Sequence, residues 1–179
     1  MVDESKINGD GFVLVPFNLN MITDEYLSWL KTDAVNKYLL KPNKEIQRAD
    51  ALTYCKELIE SKNNLFFAIN ILPDNKHIGN VRLGPIDHIS KVCKYSMMIG
   101  NTDYHGKGLG TKIVSACISF VFDKMKMRKF YLDVISGNIA AIRTYEKNGL
   151  IEEGLLKKHI FLGGLYHDLK IMSISNGNI

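Results

Sequence analysis

Cysteine is scarce in this sequence, and the three that occur, Cys55, Cys93 and Cys117, are odd in number and widely spaced. They form no CxxC pair, so neither a zinc site nor a disulfide framework is indicated, and a reducing, cytoplasmic setting is the natural reading. No run approaches the roughly 18 apolar residues of a membrane span. The opening "MVDESKINGD" is polar, without the apolar stretch of a secretion signal. Charge of one sign is also lacking: Lys and Arg are scattered, and a net charge of +4 does not mark a nucleic-acid binder. A modest positive excess still helps to attract a polyanionic small ligand.

What is present is an ordinary globular composition, 46% hydrophobic and 23% charged over 179 residues. That length suits one domain, 1–179, with the last residues 175–179 frayed. "GFVLVPF" (11–17) reads as a first strand, ended by Pro16. "ITDEYLSWLKTD" reads as a helix with Thr23 as N-cap and an apolar stripe of Tyr26, Leu27 and Leu30. After the polar "KPNKEIQ", the stretch "RADALTYCKELIES" repeats apolar residues at helical spacing. Strands follow at 64–72, 78–86 and 92–100, joined by the turns "PDNKH" and "DHISK". Then the period changes: helix 108–126, strand 129–135, helix 139–148, and a hairpin of "LLKKHIF" and "LYHDLKIMSI" about "LGG". The order β-α-α-β-β-β-α-β-α-β-β implies one mixed, mostly antiparallel α/β sheet with helices on both faces.

The stretch "DYHGKGLGTKIV" (103–114) carries three glycines in five residues, at 106, 108 and 110. Glycine gives up the most backbone entropy on folding, so such density points to close approach of main chain and ligand. A nucleoside-triphosphate loop needs GxxxxGK[ST], but Lys107 is followed by Gly108, and the magnesium-binding hydroxyl is missing. A dinucleotide fingerprint needs GxGxxG, whereas this is GxGxG, and Asp133 lies mid-strand instead of at a strand end. A pyrophosphate cradle without a metal fits. Residues 105–111 can present successive N–H groups, helix 108–126 adds the positive end of its dipole, and Lys107 neutralises charge at the edge. A tight connection with no ligand is the plain alternative.

A second cluster follows the strand "FYLDVI". Asn138 is a good N-cap, Gly149 is placed to follow the helix, and Tyr145 lies two turns from Asn138 on the same side. Ile139, Ile142 and Tyr145 also share an apolar face, so Tyr145 taken alone reads first as core.

Taken together, "HGKGLG", Asn138 with Tyr145 seven residues on, "YEKNGL" and the closing hairpin resemble the GNAT family of N-acetyltransferases over almost the whole chain. "MITDEYLSWLKTDAVNKYL" and "GLYHDLKIMSI" are similar to the subgroup of ribosomal-protein alanine acetyltransferases and amino-sugar acetyltransferases. One departure is His105, where the family usually has Gln or Arg; a side-chain contact to phosphate there depends on protonation.

The resemblance implies a GNAT-like fold with a splay between the fourth and fifth strands. It implies acetyl-CoA as co-substrate and no metal, with the pyrophosphate on His105, Gly106, Lys107, Gly108, Leu109, Gly110 and Thr111. The pantetheine arm would lie in the splay, paired with strand backbone at Met98 and Ile99 and held on the other side by Asn138. Arg143 and Lys147 face either the adenosine phosphate or solvent. Tyr145 would be the general acid, and a strand N–H near Met98 would take the oxyanion. The general base is open among Asp133, His77, His167 and water, and Lys94 lies near where relatives carry Glu. The implied acceptor is a small-molecule amine, an amino-sugar nucleotide first, built against the 22–40 region, the 84–92 turn and the hairpin. A protein N-terminus or lysine is the alternative within that chemistry, and a non-catalytic acetyl-CoA-binding module is the alternative outside it. No nucleic acid and no membrane enter as partners, and the chain would act as a monomer or homodimer.

Overall fold

The computed structural model describes residues 6–39 and 45–177. Eight strands make one sheet: β1 (Ile7–Gly9), β2 (Phe12–Pro16), β3 (Leu65–Ile71), β4 (Lys76–Asp87), β5 (Val92–Ile99), β6 (Lys129–Ile135), β7 (Ile151–Leu162) and β8 (Leu165–Ser175). Their order is β1-β2-β3-β4-β5-β6-β8-β7. Only β5 and β6 run parallel; every other neighbouring pair is antiparallel. Five α-helices accompany them among the described residues: α1 (Asp24–Trp29), α2 (Asp33–Asn36), α3 (Arg48–Glu60), α4 (Leu109–Ser119) and α5 (Ile139–Glu146).

Period-two alternation divides the core between the two faces of the sheet. Phe67 and Ile69 of β3, Val81 and Leu83 of β4, Tyr95 of β5 and Phe130, Leu132 and Val134 of β6 pack against α4 and α5. Phe66, Ala68 and Met98 point the other way, toward α1 and α3, where Tyr26, Trp29, Ala51 and Cys55 close a second cluster. Burial of both faces is what a sheet with helices on each side requires. No helix among the described residues is long and apolar enough to cross a membrane.

Several local expectations need correction. The polar opening hides β1, whose Ile7 pairs with Leu14 and is buried; a three-residue strand is too short to show period two. Thr23 does cap α1, accepting from the Tyr26 N–H at 3.2 Å, but that helix ends at Trp29 and a separate short α2 follows. The helix expected over 108–126 is regular only to Ser119. Residues Phe120–Lys124 widen into a π turn, with the Met125 N–H bonded to the Phe120 carbonyl at 3.1 Å. The chain end is not frayed from 175: Ser175 pairs with Lys129, and the Asn176 N–H reaches the Arg128 carbonyl at 2.8 Å. Residues 178–179, and 41–44 of the polar loop, lie outside the described residues.

The parallel pair governs everything that follows. β5 and β6 are in register only from Val92 opposite Lys129 to Lys94 opposite Tyr131. Beyond Lys94 the strands part, so the splay lies between β5 and β6, the fourth and fifth strands of the sequence reading. At its far end β5 bulges: the N–H groups of Gly100 and Asn101 both donate to the Ile78 carbonyl, at 2.8 and 3.0 Å.

Candidate active site

The glycine stretch lies at the mouth of α4, beside the open end of the splay. Gly106 (φ 72°) and Gly108 (φ 77°) adopt the left-handed conformation, and Gly108 is the N-cap residue of α4. A Cβ at either position would meet no atom within 4 Å, so these glycines face open space instead of packed protein. The N–H of His105 is bonded to the Thr102 carbonyl at 3.0 Å, and that of Thr111 to the Gly108 carbonyl at 3.1 Å. The N–H groups of residues 106–110 have no acceptor among the described residues. The presenting set is therefore shorter than the expected 105–111: its two end amides are already used. Lys107 stands over the Tyr104 ring, its Nζ 5.9 Å from the centroid. Five unpartnered amides in successive residues, at the start of an eleven-residue helix, suit a diphosphate by hydrogen bonding and by dipole.

His105 does not aim its ring outward. Its Nε2 lies 2.8 Å from the Ile99 carbonyl oxygen and donates to it, tying the cradle back onto the end of β5. Gly110 has a packing role beside its amide: a Cβ there would come 3.4 Å from the Met97 methyl and 3.8 Å from the Thr144 methyl.

Along the splay, hydrogen-bond alternation decides which backbone groups are free. Gly100 donates to Ile78, so the hydrogen-bonded couples between β4 and β5 continue through Met98 with Asn80 and Ser96 with Arg82. Met98 spends its main-chain groups on β4. Met97 turns both of its main-chain groups toward the gap left by β6, and Ile99 its N–H, its carbonyl already accepting from His105. Of the two residues expected to present backbone, Ile99 does so through its N–H and Met98 does not; Met97 takes its place. The strand limits are legible from sequence, but this parity is not, because it depends on the pairing register.

Across the gap, Asn138 caps α5, its Oδ1 accepting from the Ala141 N–H at 3.3 Å, which leaves its amide nitrogen for a ligand. Tyr145 is 8% exposed, and its hydroxyl has no hydrogen-bond partner among the described residues. It meets Tyr95 edge to face, centroids 6.4 Å apart. Burial first, and then the Asp133 carboxylate, push its hydroxyl up to about 12. Asn148, which the sequence reading passed over inside "YEKNGL", donates to the carbonyls of Thr111 (3.2 Å) and Thr144 (2.8 Å). It thereby locks α5 to the first turn of α4, and so Tyr145 to the cradle.

The acid–base candidates disperse. His167 lies in the hairpin, its Nε2 donating to the Leu162 carbonyl at 3.0 Å. His77 is packed among Phe17, Tyr26 and Trp29. Its Nε2 faces two oxygens, Gly79 O at 2.9 Å and Asn80 Oδ1 at 3.0 Å, so that nitrogen carries the proton. Burial lowers its affinity for a second proton. Asp133, two residues past the last paired rung on β6, forms an ion pair with Lys94 at 2.7 Å, where the strands part. Lys94 is therefore the partner of a candidate base.

On the opposite face of the sheet from α4 lies a cavity of about 260 Å³. Leu30, Leu39, Ile46, Phe66 and Met98 form apolar walls, and Tyr26, Tyr54, Asn80, Arg82 and Ser96 supply the polar atoms. Met97 also lines it, so the cavity reaches the splay. The 22–40 region contributes as expected through Tyr26, Leu30 and Leu39, but neither the 84–92 turn nor the closing hairpin lines it; α3 and strands β3 to β5 do. Arg82 escaped the sequence reading. Its signal was an arginine between Val81 and Leu83, on the inward face of a buried strand.

This arrangement has counterparts. Over 97 residues the chain is 32% identical to a spermidine N(1)-acetyltransferase of Vibrio cholerae serotype O1, a match covering 54% of this chain and 56% of that protein. The matched stretch thus spans little more than half the length of that relative. In three dimensions, the crystal structure of spermidine N-acetyltransferase from Vibrio cholerae in complex with CoA and spermine superposes with a TM-score of 0.83 at 21% identity, covering 92% of this chain and 95% of that one. Mycobacterium smegmatis RimJ in complex with CoA-disulfide gives a TM-score of 0.83 at 16% identity, covering 94% and 83%. At such identities the two structures establish a common fold. The family model of the acetyltransferase (GNAT) domain matches residues 12–151, from β2 to the first residue of β7. The chain belongs to the GNAT acetyltransferase family.

Proposed function

We propose that this chain transfers the acetyl group of acetyl-CoA to a primary amine on a small molecule. The observation that carries this reading is the row of unpartnered amides at 106–110, opening onto a splay that is flanked by Tyr145. The amides and Lys107 would hold the diphosphate. Met97 and Ile99 would pair with the pantetheine amides as an added strand, and the free amide nitrogen of Asn138 would meet the arm from β6's side.

Acetyl-CoA supplies a thioester whose carbonyl carbon accepts the amine nitrogen, the C–N bond forming as the C–S bond breaks and the sulfur leaves with the bonding pair. A main-chain N–H of β5, at Met97 or Ile99, is the donor for the developing oxyanion. Tyr145 gives its hydroxyl proton to the departing sulfur. A phenol is the weaker acid in water, so this donation depends on the site being dry: desolvation raises the basicity of the thiolate. The attacking nitrogen loses its proton to water on the acceptor's side of the thioester, away from the sulfur. His77 already donates through its inner nitrogen, His167 sits at the hairpin, and Asp133 is neutralised by Lys94.

The small, largely apolar cavity favours a small molecule over a protein substrate. An amino-sugar nucleotide heads the acceptors that the sequence resemblance implies, and polyamines enter through the names of the relatives. The test is release of free thiol from acetyl-CoA, followed against amino sugars, polyamines, amino acids and N-terminal peptides. Turnover of a small amine supports the reading. Tight acetyl-CoA binding with no release on any acceptor would leave a non-catalytic binding module instead.

A further inference from the structure

We infer that Arg82 selects the acceptor, and that the acceptor is a small amine bearing a carboxylate on an apolar body. This deepens the acetyl-transfer reading and rests on it.

Among the described residues lining the cavity, Arg82 is the only charged one. It is half-buried, and no carboxylate among the described residues lies within ion-pair distance of it. A cation withdrawn from water without a counter-ion is costly, and an incoming anion would remove that cost. The guanidinium is also held in place. Its Nε donates to Asn64 Oδ1 at 2.7 Å, and Asn64 is itself anchored by a 2.7 Å bond from its Nδ2 to the Ser61 hydroxyl. Tyr54 lines the cavity beside the same guanidinium, whose charge acts on its hydroxyl. These partners fix the plane of the fork and leave further N–H groups for a planar anion, the geometry in which arginine binds carboxylate through two parallel bonds.

The rest of the cavity sets the body of the ligand. Leu30, Leu39, Ile46, Phe66 and Met98 offer no hydrogen bonds and suit an aliphatic or aromatic group. Ser96 lies opposite Arg82 in the β4–β5 register, and Met97 follows it toward the splay. A ligand anchored at Arg82 therefore extends along β5 toward the thioester. A polyamine fits poorly: it carries several ammonium groups, and the described lining holds a guanidinium and no carboxylate. The diphosphate of a nucleotide-sugar meets a single cation among the described lining residues, in a cavity just below the usual range for ligand sites.

The experiment compares matched acceptors on the whole protein: leucine and phenylalanine, the same skeletons without carboxylate (isopentylamine, phenethylamine), leucinamide, and spermidine. Binding of 4-methylpentanoate, which has the carboxylate and no amine, is measured separately by calorimetry. In the native chain, kcat/KM for leucine or phenylalanine should exceed that of the matched amine and of spermidine by about tenfold or more. Arg82→Gln should erase that ratio through KM, with Arg82→Lys between, while acetyl-CoA affinity stays unchanged in both. 4-Methylpentanoate should bind the native chain and not Arg82→Gln. Spermidine or isopentylamine turned over as well as the amino acids would overturn the inference, as would an acceptor ratio that survives Arg82→Gln. Binding of 4-methylpentanoate through Arg82 without thiol release on any amine would keep the anion site and defeat the transferase reading. Turnover of amines with no binding of the acid would do the reverse.

Discussion

His105 donates from Nε2 to the main-chain oxygen of Ile99 across 2.8 Å, joining the glycine loop to the end of β5, the two parts of the proposed acetyl-CoA surface. One hydrogen bond thus couples two parts of a single binding surface. His105→Ala should speed amide exchange at 106–110 and weaken acetyl-CoA binding by about fivefold, the value of one ordinary hydrogen bond of about 1 kcal/mol. His105→Gln keeps a donor at similar reach and should restore most of that loss. Equal affinities in all three proteins, read by calorimetry, would detach the histidine from cofactor binding.

The open space at Gly108 separates backbone strain from ligand contact. Gly108→Ala meets no neighbour but must hold φ near 77°, which costs about 1–2 kcal/mol of stability. Gly163, in the β7–β8 turn, has φ 60° and equally open surroundings, so Gly163→Ala should cost a similar amount. Only Gly108→Ala should also weaken acetyl-CoA binding, by about tenfold or more, because its methyl group stands beside the amides. Urea titration and calorimetry on the two variants check both halves.

His77 gives the fold a pH dependence of known sign. Burial lowers its affinity for a proton relative to the ordinary value of 6.5, so the unfolded chain binds that proton more readily than the folded one. The stability His77 contributes is present above about pH 6.5 and declines as pH falls below it. The carboxylates whose affinity for protons is lowered, Glu153 beside Lys129 among them, act nearer pH 4, which leaves a window between pH 6.5 and 5 for the histidine. The urea midpoint should fall across that window in the native chain and stay flat in His77→Gln.

Tyr26 closes a buried polar chain beneath the cavity. Its hydroxyl accepts from Asn80 Nδ2 at 3.2 Å and lies 3.7 Å from Cys55 Sγ. Tyr26→Phe keeps the ring stacked among Phe17, Trp29 and His77 but strips Asn80 of its acceptor, so it should destabilise by about 1–3 kcal/mol. A melting temperature equal to that of the native chain would mean that Asn80 finds another partner at no cost.

Local chemistry was legible wherever a residue's role depends on its immediate neighbours. Thr23 as a cap, Asn138 before α5 and the positive-φ glycines at 106 and 108 all follow from backbone rules acting within one turn. Roles set by pairing across the sheet were not. Met98 reads as well as Met97 until the Gly100–Ile78 bond fixes which residues of β5 face the splay. Arg82 shows as one polar residue in an apolar strand, and its cavity exists only once α1, α3 and three strands converge. Asn148 shows no role in sequence because its partner Thr111 lies 37 positions away. The π turn at Phe120–Lys124 left no trace in the apolar spacing, since one extra residue per turn barely displaces so short a stripe.

Tyr145 is the proposed proton donor to sulfur. Its hydroxyl is held protonated, pushed up to about 12, with no protein partner among the described residues to divert it. Pre-steady-state and steady-state turnover of Tyr145→Phe, set beside its acetyl-CoA dissociation constant, tests this most directly. The prediction is a fall in kcat of about a hundredfold with acetyl-CoA affinity changed by less than about twofold. An unaltered kcat, or a loss traced wholly to cofactor binding, would contradict it.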